Sequence, residues 1–191
     1  MTNIWEYAVG LGGSANDKIA FEHTAIFPEK LASDHIFSWT NEGDIILDPM
    51  CGSGTIAIEA ALIANNIPAG YFRNEFGFEK WNDFDADLFQ VIMDSAIKKI
   101  SDDDRTRIYA ADINRDVLSK AEENIHNAKV EDTVKTFRSS IEDFTPPPGK
   151  GTVIINPPYG ERMGDNIETL YKSIGDTFKK KYAGYDCCLL Y

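Results

Sequence analysis

Residues Asp44–Gly54 read DIILDPMCGSG and run without a break into Thr55–Asn65, TIAIEAALIAN. Asp44–Asp48 is a short apolar run closed by an acidic residue, the pattern of a strand buried on both faces of a sheet. The glycines at 52 and 54 let the backbone turn sharply and approach a ligand with no Cβ in the way. The alanine-rich stretch behind them predicts a helix, whose first N–H groups have no partner within the helix itself. A buried strand, a glycine turn and a helix, in that order, predict an α/β fold.

Working outward, the same alternation recurs. Arg107–Ile113 (RIYAADI) predicts a second strand and Arg115–Asn127 a helix after it. Val134–Phe137 predicts a third strand, and Thr152–Ile155 (TVII) a fourth that ends in Asn156–Tyr159 (NPPY). Ile167–Lys181 predicts a helix, and Asp186–Tyr191 begins a fifth strand. On the other side, Ile26–Trp39 has helical spacing after Pro28, Gly43 closes that unit, and Gly10–Ser14 (GLGGS) reads as a loop. Between the Thr55–Asn65 helix and the strand at Arg107 lie an aromatic-rich segment, Ile67–Phe84, a predicted helix over Asp85–Ile100, and a polar turn at Ser101–Asp104. Strands alternating with helices imply a Rossmann-like, mostly parallel sheet covered on both faces, with ligands beyond the strand carboxyl ends. PMCGSG and NPPY both fall at such ends.

Composition narrows the classes. The 191 residues suit one domain, taken as 1–191, with 1–43 flanking a core of 44–191. No apolar run reaches the roughly 18 residues that a membrane-spanning helix needs, and no signal-peptide pattern is present. Cys51, Cys187 and Cys188 form no disulfide framework, which points to a reducing, cytoplasmic setting. His23, His35 and His126 have no cysteine partners at ligand spacing, so no metal is expected. The formal net charge of −12 runs against nucleic-acid binding by this chain alone, so a separate basic module is expected to supply affinity for such a substrate.

Three motifs carry chemistry. Around the glycine turn there is no Walker lysine and no G-x-G-x-x-G, so a phosphate loop does not fit. The acidic Asp48 suits a cationic ligand, and S-adenosylmethionine carries a sulfonium, an ammonium and a carboxylate that glycine N–H groups and a carboxylate would match. A plain strand-to-helix turn is the alternative. Asp112 in AADIN can accept hydrogen bonds from both hydroxyls of a ribose, or can simply cap the helix that follows. Its distance from the glycine turn far exceeds the usual spacing of about 20 residues. Asn156-Pro157-Pro158-Tyr159 reads differently from a proline-rich turn. A base amine has its lone pair delocalised into the ring. Accepting a hydrogen bond from each of its two N–H groups, by the Asn156 amide oxygen and the Pro157 carbonyl, turns that lone pair toward a methyl donor. The prolines hold the backbone extended, and Tyr159 can stack on a base taken out of its helix.

From Ile46 onward the chain resembles the methylase domain of bacterial large-subunit ribosomal RNA guanine-N2 methyltransferases, which usually carry a THUMP RNA-binding domain. The resemblance rests on LDPMCGSGTIAIEAALIANNIPAG, FGFEKWNDFDADLF, IYAADIN and IINPPYGERMGD. It implies a class I S-adenosylmethionine-dependent fold. The cofactor is then lined by Asp48, Pro49, Cys51, Gly52, Gly54, Thr55, Asp112, Ile113, Ser140, Ile141 and Asn156, with Asn156, Pro157, Pro158 and Tyr159 holding the base. Many such enzymes place an aspartate after the third strand to meet the adenine amine; here Ser140 stands there, with Asp143 nearby.

The start of the chain, with IWEYAVG and AFEHTAIFPEKLASDHIFSW, is similar instead to DNA amino-methyltransferases of restriction–modification type. That similarity nominates Phe27 and Pro28 beside the cofactor. The order of motifs, with NPPY after the glycine turn, follows the RNA enzymes. The expected activity is methylation of a base amine in nucleic acid, guanine N2 of large-subunit ribosomal RNA, with adenine N6 of DNA, as in restriction–modification enzymes, as the alternative. An inactive fragment acting as a binding module is a third reading. It is motivated by the two edge strands such domains usually add after the fifth, whose absence would expose Cys187, Cys188, Leu189 and Leu190.

Overall fold

Strand β1 (Ile45–Asp48) lies at the centre of a five-stranded sheet in which every neighbouring pair is parallel. The computed structural model describes residues 29–41, 43–101, 107–158 and 167–190. Strand β2 (Arg107–Asp112) and β4 (Gly151–Ile155) flank β1; β3 (Val134–Arg138) pairs outside β2, and β5 (Tyr185–Leu189) outside β4. The order β3-β2-β1-β4-β5 reverses at β1, and the crevice at that reversal is where open parallel sheets bind ligands.

Alternation along the strands sorts the core into two layers. Ile46, Ile108, Ala110, Val134 and Ile154 face one side and meet α1 (Glu29–Trp39), α2 (Thr55–Ala64) and α4 (Arg115–Asn127). Ala57, Ala60 and Ala61 of α2 and Ala121 of α4 are all buried there, so both helices sit close to the strands. Ile45, Leu47, Ala111, Val153 and Ile155 face the other side, under Ile141, Phe144, Tyr182 and Ile174 of α5 (Ile167–Lys181). Both faces of β1 and β4 are thus buried, which is why these strands read as continuous apolar runs.

The alternation of elements agrees with the expectation, and α4 and α5 match it to the residue. The boundaries differ elsewhere for local reasons. Asp85 caps α3 (Ala86–Ile97) instead of entering it, its Oδ1 accepting the Leu88 N–H at 2.9 Å. β3 runs one residue further, to Arg138, because Asp112 continues the pairing. The expected loop at 10–14, the start of the first predicted helix, and the polar turn after Ser101 fall outside the described residues. One expectation is corrected. Leu190 does not lie on an exposed edge: its N–H donates to the Ile155 carbonyl at 2.9 Å, and its side chain is buried on the face covered by α1, α2 and α4.

Between α2 and β2 the chain leaves the body at Asn65 and returns at Ser101, whose N–H donates to the Asn65 carbonyl. The aromatic-rich segment forms a small cluster of its own there, Phe76, Phe78, Phe84 and Phe89 packing ring against ring at centroid separations of 5.0–5.7 Å. No residue of α3 is buried, and Leu88, Val91 and Ile92 face outward. Among the described residues no helix is long and apolar enough to cross a membrane.

Candidate active site

The carboxyl ends of β1, β2 and β4 bring Asp48, Asp112 and Asn156 to the same edge of the sheet. Asp48 pairs in register with Ala110, two residues short of Asp112, and Leu47 pairs with Val153, three residues short of Asn156. Motifs separated by more than a hundred residues in sequence therefore sit on adjacent strands.

The turn after β1 is fixed by its neighbours as much as by its glycines. The Cys51 N–H donates to the Ala111 carbonyl at 2.8 Å, and the Gly54 N–H to the Cys51 carbonyl at 2.7 Å. Gly52 and Gly54 take φ values of +54° and +85°, which L residues with a Cβ rarely adopt. At Gly54 space is tight as well, because a Cβ would stand 3.3 Å from the Ala121 Cβ. At Gly52 a Cβ would meet nothing within 4 Å, so the turn faces open space there. No side chain caps α2, which leaves its first-turn N–H groups without a side-chain partner. Cys51 is a core residue of this turn: its side chain belongs to the buried cluster that holds Ile46 and Ile56, and burial pushes its thiol well above the usual range.

Asp112 does not cap α4. Asn114 does so, its Oδ1 accepting the N–H groups of Asp116 and Val117. Asp112 ties the turn to the sheet instead, accepting the Gly52 N–H on Oδ2 at 3.2 Å and the Asn114 N–H on Oδ1 at 2.8 Å. It is half-buried, and Ile113 beside it is 68% exposed. Asp48 has the opposite environment. It is only 1% exposed, and neither carboxylate oxygen has a hydrogen-bond partner. Burial pushes its pKa up to about 8; the Met50 N–H opposes this without reaching hydrogen-bond geometry, and the negative Asp112 adds to it.

Asn156 and Pro158 are half-buried and Pro157 is buried. Tyr159 lies outside the described residues, as do Phe27 and Pro28. After β3, Ser140 and Asp143 close a small turn: the Ser140 hydroxyl donates to Asp143 Oδ2 at 2.9 Å and accepts the Asp143 N–H at 3.1 Å. Ile141 is buried beneath it, and its carbonyl accepts the Tyr182 hydroxyl. Pro49 and Thr55 belong to the glycine turn and its helix, and the Thr55 hydroxyl lies 3.1 Å from that of Ser53.

Two supporting residues escaped the reading of the sequence. Asn124 on α4 donates its side-chain N–H to the Ser53 carbonyl at 3.0 Å, and Ala121, one turn earlier, makes the room that Gly54 needs. Their signal was available: 121, 124 and 125 share one helix face, and a polar Asn amid buried Ala121 and Ile125 needs a partner. Two concavities of about 430 and 460 Å³ lie elsewhere, against α3 and along α5, and involve none of the strand-end residues. Among the described residues no cluster of His, Cys, Asp or Glu has the arrangement to hold a metal ion.

Comparisons with known proteins meet this geometry. Residues 19–190 match the family described as RMKL-like, methyltransferase domain. The ribosomal RNA large subunit methyltransferase K/L of Shewanella frigidimarina is 38% identical over 169 residues, 85% of this chain and 24% of that protein. A crystal structure described as a possible methylase from Clostridium difficile 630 superposes with a TM-score of 0.77 at 33% identity, over 93% of this chain and 48% of that one. The structure of SMU.472 complexed with SAH superposes equally well, with a TM-score of 0.77, 30% identity and the same coverage. The chain spans about a quarter of the length of the curated relatives it matches.

Proposed function

The chain belongs to the RMKL-like methyltransferase domain family, a class I methyltransferase fold, and from that premise we propose that it methylates an exocyclic base amine in RNA, guanine N2 of large-subunit ribosomal RNA, using S-adenosylmethionine. The observation that carries this reading is the position of Asn156-Pro157-Pro158 at the carboxyl end of β4, directly beside β1 and its glycine turn. A methyl donor held over the turn and an amine held at Asn156 would then share one crevice.

The residues fit this cofactor. Asp48 is a buried carboxylate without a partner, suited to a cationic group. The turn at Gly52 faces open space, and the uncapped start of α2 offers N–H groups to a carboxylate. Asp112 stands where it can accept from ribose hydroxyls, and the exposed Ile113 offers an apolar surface to an adenine ring. When bound, the cofactor supplies an electrophilic methyl group on a sulfonium.

This chain's part is positioning. The Asn156 amide oxygen and the Pro157 carbonyl accept hydrogen bonds from the two amine N–H groups and direct the nitrogen lone pair at the methyl group. Among the described residues no hydrogen bond engages the Asn156 side chain. By their residue types and the family resemblances we assign Tyr159 to stacking on the base and Phe27 and Pro28 to the cofactor; all three lie outside the described residues. Asp112 and the helix termini supply the fixed electrostatics, and the surplus proton of the methylated amine passes to solvent. With a net charge of −12 the chain holds RNA through a basic RNA-binding module, not through its own surface.

The test is transfer of label from radiolabelled S-adenosylmethionine to large-subunit ribosomal RNA and, in parallel, to plasmid DNA. Label in RNA, recovered as N2-methylguanine, is expected. Incorporation into DNA alone would overturn the substrate and favour adenine N6.

A further inference from the structure

Asp48 is the last residue of β1, in the crevice where the sheet order reverses, and it is the one buried side chain among the described residues whose oxygens have no partner. A protein interior keeps such a group only at a cost, since neither a bare carboxylate nor an unpaired carboxyl is satisfied away from water. An apolar residue at this position would carry no such cost. The groups facing it explain why no internal partner arises. Asp112, at the end of β2, is negative; the Cys51 thiol, in the turn, is held neutral by burial; and Glu122, on α4, adds negative charge on the Cys51 side. Only the Met50 N–H works in favour of the carboxylate, and no Lys, Arg or His is among the groups acting on it.

We propose that Asp48 carries a proton in the free protein and surrenders it when a cationic ligand binds, so that this residue selects ligands by their positive charge. The inference rests on the cofactor reading above. The proton leaves the carboxyl oxygen for bulk buffer, and the carboxylate that remains is neutralised by the ammonium or sulfonium placed against it. Burial and the neighbouring Asp112 favour the neutral acid up to about pH 8, which makes the exchange measurable at neutral pH. Ligand chemistry separates the two cationic sources. S-adenosylmethionine carries both an ammonium and a sulfonium, S-adenosylhomocysteine only the ammonium, and adenosine neither.

Titration calorimetry of the full chain at pH 7, in two buffers of different ionisation enthalpy, counts the protons. Release of about 0.9 proton per S-adenosylmethionine is expected, with none for adenosine. S-adenosylhomocysteine matches S-adenosylmethionine if the ammonium meets Asp48, and matches adenosine if the sulfonium does. Affinity for S-adenosylmethionine should rise about tenfold from pH 6 to pH 7 in the wild type and stay flat in Asp48→Asn. A second measurement needs no variant: in a carbon-13 titration of the aspartate carboxyls, one resonance with a midpoint near pH 8 should move to acid on adding S-adenosylmethionine. Binding of S-adenosylmethionine with no proton release, or with equal release in Asp48→Asn, overturns the proposal. No binding to folded protein at either pH overturns the cofactor reading beneath it, and the carboxyl titration of the free protein then judges the protonation of Asp48 by itself.

Discussion

Asp112 Oδ2 accepts the Gly52 N–H across 3.2 Å, linking the end of β2 to the glycine turn that follows β1. The same carboxylate holds Asn114 through its other oxygen, so one side chain sets both the turn and the approach to α4. Asp112→Ala removes both bonds and the acceptor proposed for a ribose. Affinity for S-adenosylmethionine should fall by tenfold or more, equivalent to at least about 1.4 kcal/mol, in calorimetry. Unchanged affinity would show that the carboxylate only shapes the turn.

Gly54→Ala places a Cβ at φ +85° and 3.3 Å from the Ala121 Cβ. A loss of about 1–3 kcal/mol is expected in urea denaturation. Adding Ala121→Gly should relieve the contact and leave the backbone strain, recovering part of the loss. Full recovery would mean that the φ angle costs little here.

Asn156→Ala should abolish methyl transfer while S-adenosylmethionine binds within about twofold of the wild type, because the amide is assigned to the base amine. The measurement pairs single-turnover transfer with calorimetry on the same preparation. If transfer and binding fail together, the side chain holds the cofactor instead.

The protonation of Asp48 has a stability signature in the free protein. Its folded pKa of about 8 lies above the ordinary carboxylate value of 3.8, so between these limits unfolding releases a proton. The neutral acid's contribution is complete below pH 3.8 and is lost as pH rises toward 8, at up to about 1.4 kcal/mol per pH unit. Denaturation at pH 5 and pH 8 should therefore show a smaller decline in Asp48→Asn than in the wild type. Parallel declines in the two proteins would contradict a neutral Asp48.

Asp85→Ala removes the cap of α3, a change worth about 1 kcal/mol to that helix. Because no residue of α3 is buried, the effect should stay local. Hydrogen exchange over residues 86–97 should quicken while the strands keep their protection. A matching loss of protection in β1 and β4 would show that α3 folds with the core.

How much was legible follows from the kind of signal each feature leaves. β1 and β4 are buried on both faces and wrote continuous apolar runs; α4 and α5 are amphipathic with polar flanks, and their ends were read to the residue. The aromatic segment kept its secret because its rings bury one another in a local cluster, which leaves no helical or strand period. Leu190 was placed on an exposed edge because sequence cannot say which face of a last strand is covered.

The glycine turn, the acidic strand ends and the Asn-Pro-Pro run were determined by the sequence itself, since each rests on backbone freedom or side-chain chemistry that is local. Only the tertiary structure decided that Asp112 bonds to Gly52 and leaves the cap to Asn114, that Asn124 and Ala121 shape the turn from a distant helix, and that Asp48 has no partner. The reason is physical. Hydrogen bonds and desolvation depend on which groups meet across strands and helices far apart in the chain, and a parallel sheet brings those groups together only through its crossovers.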